Sequence, residues 1–237
     1  MIPSAFCWTR IGAESGQQID PIIRRKEMER RLTGGFVWGI GNALGDAPLV
    51  LAARQTPYVL FSPIAGRPAP HDVAPSAVVS WTRYVDHHGR SNPLPAGILV
   101  TSRAHGPTGI AKRQHYALFC RSTTPLQLAD HGTIDIAALR NLLSQHPVGS
   151  SQNTAVVERR DRVSPGRAYR VALICELTTP FYATLTHPVT LPGTKLAELQ
   201  ADADAADDAA WLSRLTDLLA ASRPSHDDAL SFFPGST

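Results

Sequence analysis

The sequence contains few of the features that usually indicate a membrane, a secretory route or a disulfide framework. No run of 18 apolar residues occurs, so we expect no membrane-spanning helix. The three cysteines, Cys7, Cys120 and Cys175, lie far apart and form no Cys-x-x-Cys pair. That spacing predicts reduced core residues rather than disulfides or a zinc site. The first residues lack the basic and apolar regions of a secretory signal, so we expect a cytoplasmic protein.

The common catalytic and cofactor-binding motifs are missing as well. There is no Gly-x-Ser-x-Gly elbow, no Walker loop and no His-Glu-x-x-His. Gly39, Gly41 and Gly45 approach a dinucleotide fingerprint, but the last spacing is wrong and no acidic residue follows at the required distance. The nine histidines do not cluster at metal-ligand spacings. The sequence therefore predicts no metal site and no cofactor.

What the chain does contain is turn formers between short apolar runs. Charged residues make up only 18% of it, whereas there are 19 prolines and 17 glycines. This pattern predicts a β-rich protein, and it favours a small barrel with inserted helices over a parallel α/β sheet. Strands are predicted over residues 5–10, 36–38, 58–62, 77–85, 97–102, 115–120, 154–158, 169–177 and 181–185.

Helices are predicted at three places in the chain. The first begins at Asp20-Pro21 and ends at Gly34-Gly35, which are common helix start and stop signals. A second, short one is capped by Asp135, and a third covers residues 196–221. We interpret residues 1–190 as a barrel domain and residues 191–237 as an acidic helix with a tail.

Charge is unevenly distributed along the sequence. Residues 101–170 carry ten Lys and Arg against four acids, and residues 195–228 carry three bases against eight acids. A basic body with an acidic C-terminal segment indicates a polyanion partner. The alternative is an ordinary solvated surface.

Residues 36–48 have the clearest chemical character. A predicted strand ending at Trp38 is followed by a turn with several glycines and one amide side chain, that of Asn42. An aromatic ring can stack on a flat ligand, an amide can bond the ligand's polar edge, and glycines let the backbone approach closely. The alternative is that Trp38 is a core residue and the glycines only turn the chain.

The order of these segments resembles the PUA-like superfamily and, within it, the EVE and ASCH domains. The resemblance covers roughly residues 5–160. It is carried by the strand around Trp8, by Val37-Trp38-Gly39-Ile40-Gly41-Asn42, by the strands at 59–62 and 77–85, and by the segment from Asp135 through Ser150-Ser151-Gln152-Asn153 to residue 157. It implies an α+β fold, a small mixed β-barrel with inserted helices, to which this chain adds strands and a C-terminal helix.

The same resemblance implies a pocket for a flipped-out, modified base. Trp38 would supply the stacking surface. The side chains expected to bond the edge of the base are those of Asn42, Ser62, Ser151, Gln152 and Asn153. The basic side chains expected to hold phosphates are those of Arg10, Arg24, Arg25, Arg103, Lys112 and Arg113.

Two functions of different classes follow from this interpretation. The first is a reader of a modified base, most simply modified cytosine in DNA, which would act with a separate effector protein. The second is a glycosylase or other hydrolase that excises such a base in defence against phages. Asp46 and Glu14, with Asn42 holding water, are the candidate catalytic residues. The alternative is that these acids only cap helices or lie in turns.

Overall fold

The computed structural model describes residues 2–11, 19–54, 57–64, 77–94, 101–103, 115–161 and 164–192, together with positions 213 and 217. Its helices are α1 (Ile19–Thr33) and α2 (Ala47–Arg54). Its strands are β1 (Ala5–Ile11), β2 (Phe36–Ile40), β3 (Tyr58–Pro63), β4 (Ala77–Val85), β5 (Ser91–Pro93), β6 (Thr101–Arg103), β7 (His115–Arg121), β8 (Thr133–Asp135), β9 (Leu139–Asn141), β10 (Thr154–Arg159), β11 (Ala168–Arg170) and β12 (Leu173–Pro192).

Ten of these strands form one mixed sheet. Its main order is β2-β7-β12-β3-β1-β10-β9, and β4 pairs with β12, β5 and β6. Strands β1 and β3 are parallel, whereas the other pairs are antiparallel. A separate two-stranded ribbon pairs β11 with β8. The protein is thus mostly β with few helices, an α+β class, but no pairing among the described strands joins β2 to β9 to close a barrel.

Strand β12 connects the main series of strands, from β2 to β9, with the group formed by β4, β5 and β6. One side pairs with β7, while the other side pairs first with β3 and then with β4. The register against β7 shifts between Leu177 and Tyr182. Pro180 lies within that shift, as expected for a residue that cannot donate to a β-ladder. The strands predicted at 169–177 and 181–185 are found only in part: residues 173–177 and 181–185 belong to one strand, β12, on either side of Pro180, whereas residues 168–170 form β11 in the separate ribbon.

The sheet curls strongly around its main core. Strands β7 and β12 separate β2 from β3, so a flat sheet would hold β2 and β3 about 14 Å apart. The rings of Phe36 and Trp38 in β2 nevertheless lie 6.4 and 4.8 Å from the ring of Phe61 in β3. Only a curved sheet can bring these three rings together on one face.

The two faces of the curled sheet carry different cores. The inner face holds Cys7, Val59, Phe61, Leu118 and their neighbours, and α1 and α2 add Ile23 and Leu51. The outer face carries one cluster around Trp8 and Leu60, which includes residues of the β8–β11 ribbon, and another around Trp81 and Phe119. Successive residues of β1 and β3 therefore alternate between two buried environments.

The end of α1 confirms the prediction made from its two glycines. Gly34 has a φ of +78°, and its amide donates to the carbonyl of Arg30. Gly35 lies so close to β7 that a Cβ there would be 2.7 Å from the carbonyl oxygen of Cys120. Glycine at these two positions thus allows α1 to stop and β2 to begin beside β7.

The secondary structure differs from the sequence predictions after Asp135 and at α2, while most of the predicted C-terminal helix and of the predicted strand 97–102 lies outside the described residues. Asp135 does act as a cap, since its carboxylate accepts from the amide of Ala137, but it starts a single 3₁₀ turn followed by strand β9 rather than a helix. Helix α2 was not predicted. Of the predicted C-terminal helix, only Ser213 and Asp217 are described, and both are helical and exposed.

All three cysteines are buried and free in the inner core, which confirms their predicted position. Burial raises the pKa of Cys7 and of Cys175 to about 12. It also raises the pKa of Cys120 well above its ordinary value. Because the thiolate is the reactive form, these side chains are protected chemically as well as sterically.

We therefore expect no thiol to react with Ellman's reagent in the native protein at pH 8, and all three to react after denaturation in guanidinium. The measurement is the absorbance of the released thionitrobenzoate with and without denaturant. Rapid modification of any cysteine in the native protein would contradict this packing.

A buried ion pair ties α1 to β2. Lys26, which is 4% exposed, donates to both carboxylate oxygens of Glu29, which is 0% exposed, at 2.7 and 3.0 Å. The same carboxylate accepts from the amide of Val37 at 3.3 Å. Lys26 is thus not a solvated surface residue of this helix. Instead, the pair holds the edge strand that carries Trp38.

Lys26→Met should lower the free energy of unfolding by about 3–5 kcal/mol, because it leaves a buried carboxylate without its counter-charge. Lys26→Met combined with Glu29→Leu should be less harmful, since no charge then remains unpaired. Urea unfolding measures both, with Arg121→Met as a control at an exposed ion pair, where the loss should stay below about 1 kcal/mol. A double variant that is no more stable than Lys26→Met would argue against this interpretation.

Candidate functional site

Trp38 is a partly buried residue at the inner core of the sheet. Phe36 and Ile40 share its face of β2 and are 2% and 3% exposed, whereas Trp38 between them is only partly buried. The ring of Phe61 meets the indole at an interplanar angle of 72°. Phe61 therefore supports the indole without covering one of its faces by parallel stacking. Trp38 is therefore a partly exposed aromatic residue between two buried neighbours on this face of β2.

A tyrosine holds the loop that follows β2. The amide of Leu44 donates to the hydroxyl of Tyr182 at 3.2 Å, and Tyr182 stacks on Tyr116 with ring centroids 5.9 Å apart. Burial raises the pKa of Tyr182, and the Leu44 amide offsets part of that effect. The phenol therefore stays neutral at physiological pH while it accepts the hydrogen bond.

This loop also carries two of the predicted site residues. Asn42 is exposed, four positions after Trp38. Asp46 is exposed too, and its carbonyl accepts from the amides of Leu49 and Val50, so it stands at the start of α2. The structure thus keeps Trp38, Asn42 and Asp46 in one short segment, as the sequence implied.

Ser62 lies on the opposite face of the sheet from Trp38. It directly follows Phe61, which contacts Trp38, and adjacent residues of a strand point to opposite faces. Ser62 is 0% exposed, and its hydroxyl accepts from the indole N–H of Trp8 at 3.0 Å. The expected pocket lined jointly by Trp38 and Ser62 is therefore not formed by the described residues.

The turn at residues 150–153 lies close to Arg10. The Arg10 guanidinium donates to the carbonyl of Ser150 at 3.0 Å, and the Arg10 amide donates to the carbonyl of Asn153 at 2.8 Å. Ser151 and Asn153 are exposed, while the side-chain amide of the partly buried Gln152 makes long contacts of 3.4 Å. Arg10 is also the register partner of Ser62. The structure therefore brings Ser62, Arg10 and this turn together, but away from Trp38.

The other predicted phosphate-binding residues are more scattered. Arg24 is exposed on α1, and Arg25 belongs to the same helix, which contacts β2. Arg103 ends β6. Lys112, Arg113 and the candidate catalytic Glu14 lie outside the described residues.

Two residues that the sequence did not single out complete the environment of Arg10. The guanidinium carbons of Arg10 and Arg167 lie 5.3 and 5.2 Å from the ring centroid of Tyr169, within the range of cation–π contacts. Tyr169 in turn packs edge-on against Trp8 at 5.3 Å. We call Arg10, Arg167 and Tyr169 the Arg10–Tyr169 cluster. Arginine and tyrosine are residue types that form cation–π contacts. The grouping could not be predicted because Arg10 lies far from Arg167 and Tyr169 in the sequence.

The described residues contain no group of three or more His, Cys, Asp or Glu side chains placed to hold a metal ion. None of the helices in the same ranges is both long and apolar enough to cross a membrane. Comparison with protein-family models, with characterised proteins and with solved structures gave no match.

Tyr182→Phe should free the amide of Leu44 and lower the free energy of unfolding by about 1 kcal/mol, the usual net value of one hydrogen bond. Hydrogen exchange at the Leu44 amide should accelerate at the same time. Tyr116→Phe is the matched control, because it keeps the ring stack and the Leu44 bond. Equal exchange rates in the two variants would show that the hydroxyl does not hold this loop.

Proposed function

We propose that this protein binds nucleic acid and reads a flipped-out, modified base, most simply a modified cytosine in DNA. The observation that carries the proposal is the partly exposed Trp38 between the buried Phe36 and Ile40, followed four positions later by the exposed Asn42. The sequence resemblance to EVE and ASCH domains supports the same function.

The energetics favour a ligand of this shape. Taking a base out of a duplex costs a few kcal/mol, which the protein must recover in its site. Stacking of a base on an aromatic side chain contributes about 1–3 kcal/mol. The Asn42 amide can both donate and accept, as the polar edge of a base requires. The two side chains together therefore supply the two kinds of contact that a flipped base needs.

The curvature of the sheet is consistent with a PUA-like fold. The resemblance implies a small barrel; the described strands do not close one, but the contacts of Phe36 and Trp38 with Phe61 bend the sheet around its core, which supports the proposal. We infer that the base would enter this curved inner face. The proposed reader would act with a separate effector protein.

We prefer the reader to the base-excising enzyme. The one candidate catalytic carboxylate in the described residues, that of Asp46, is exposed at the start of α2, where acidic residues commonly stabilise a helix. Its position thus has a structural explanation. The experiment below separates the two functions.

Purified protein is incubated with duplexes that differ only in cytosine, which is plain, methylated, hydroxymethylated or glucosylated. We expect gel retardation of one modified duplex and no strand breakage after hot alkali. Trp38→Ala should weaken that binding about 10- to 100-fold, the equivalent of one lost stacking contact. Trp38→Phe should retain most of it, and Asn42→Ala should reduce discrimination between modified and plain duplexes.

Circular dichroism and thermal unfolding establish that each variant is folded before its binding is compared. Folded Trp38→Ala that still binds at full strength would refute the stacking site. Alkali-sensitive breakage confined to one modified duplex, and lost in Asp46→Asn, would show that the protein excises the base and that the enzyme is the correct alternative.

A further inference from the structure

We propose that the Arg10–Tyr169 cluster binds a phosphate group, on the face of the sheet opposite Trp38. The site differs from the one assigned to the base, and Arg167 and Tyr169 have no role in the function proposed above. The inference rests on that function only in naming a nucleic-acid backbone as the source of the phosphate.

The cluster holds positive charge without a matching negative charge. Arg10 is partly buried, and the contacts of its guanidinium with described residues are the Ser150 carbonyl and the Tyr169 ring. Arg167 likewise contacts that ring. No carboxylate in the described part of the chain pairs with either guanidinium. A partly desolvated cation without a counter-charge is unfavourable, so an anion fits here.

Two acidic side chains on neighbouring strands are already engaged. Asp135, the residue of β8 that pairs with Ala168 of β11, accepts from the amides of Ala137 and Gly166. Glu158 pairs with Arg54 and accepts from Gln145. Neither carboxylate is therefore available to neutralise the cluster.

Two buried polar atoms of the cluster have no hydrogen-bond partner among the described residues. They are the hydroxyl oxygen of Tyr169, a residue only 5% exposed, and Nε of Arg10. Buried polar groups in native proteins are nearly always paired, so two such atoms in one cluster need an explanation. Both can donate a hydrogen bond, and a guanidinium can only donate. A set made of donors matches the oxygens of a phosphate.

Access to these donors is possible from the side of Arg167. This residue is exposed, and in the described structure its side chain has the Tyr169 ring as its contact. Its guanidinium can therefore leave the ring and engage an incoming anion without breaking a hydrogen bond. The exposed turn at Ser151 and Asn153 lies beside Arg10 at the same place.

The position of the cluster suits a nucleic-acid backbone. Phe61 faces Trp38 on the inner face, and the next residue, Ser62, is the register partner of Arg10 on the outer face. The base site and the phosphate site therefore flank one end of the adjacent strands β1 and β3. A strand that crosses this end can place a base on one face and a phosphate on the other.

The test compares the Tm of the protein in inorganic phosphate with its Tm in chloride at the same ionic strength. At ten times the Kd, we expect phosphate to raise the Tm of the wild type by about 3–6 °C. Arg167→Gln should lose this rise. Tyr169→Phe should have an unchanged Tm in chloride, because its hydroxyl has no partner there, but a smaller rise in phosphate. If the cation–π contacts only stabilise the fold, Arg167→Gln and Tyr169→Phe should both show the same rise in Tm with phosphate as the wild type.

Arg170→Gln is the matched control, since Arg170 is exposed in the same strand and its guanidinium bonds the Ala129 carbonyl. It should keep the full rise. No rise in the wild type, or equal rises in Arg167→Gln and Arg170→Gln, would overturn the proposal.

Salt titration of duplex binding tests the source of the phosphate. Arg167→Gln should lower the slope of log K against log salt by about 1, the loss of one phosphate contact. An unchanged slope would overturn the nucleic-acid source. Trp38→Ala should keep the rise in Tm with phosphate even if it loses duplex binding. Failure of base reading is therefore distinguishable from failure of the phosphate site.

Discussion

The contact of Phe36 and Trp38 with Phe61 is the constraint on which the rest of the structure depends. It joins an edge strand to a strand three positions away in the sheet, and so it forces the sheet to bend. The bend creates an inner face that α1 and α2 can cover, and it separates that face from the clusters around Trp8 and Trp81. Trp38 is one of the partly buried residues at the margin of this inner core.

The ends of strands β1 and β3 lie between the two sites that we propose. Because side chains alternate along a strand, consecutive residues serve different sites: Phe61 supports the indole, while Ser62 and its neighbour Arg10 belong to the outer face. The sequence interpretation placed Trp38 and Ser62 in one pocket because the order of segments does not show which face a side chain takes. The alternation therefore puts the base site and the phosphate site that we propose on opposite faces of the sheet.

Local patterns in the sequence predicted much of the fold, and long-range contacts account for most of what was missed. Strand β4 has the predicted bounds, and Gly34 and Asp135 act as the stop and the cap that their residue types indicate. The prediction of a helix after Asp135 was wrong because the apolar spacing there is ambiguous. Leu139 and Leu142 are three positions apart, a spacing that suits one face of a helix but also suits an extended segment whose residues reach two different cores. The grouping of Arg10 with Arg167 and Tyr169 joins residues more than 150 positions apart, which no local pattern contains.

Two partly or fully desolvated cations in this protein have different surroundings, and the difference indicates different roles. Lys26 is matched by the buried carboxylate of Glu29, which also accepts from β2, so its charge is neutralised within the fold. Arg10 faces a carbonyl and an aromatic ring, and the described residues around it add a second guanidinium rather than an acid. A matched pair stabilises structure, whereas unmatched donors favour an anion from outside. The unmatched charge of Arg10 is therefore the physical reason to propose phosphate binding on the outer face, in addition to the base binding proposed for the inner one.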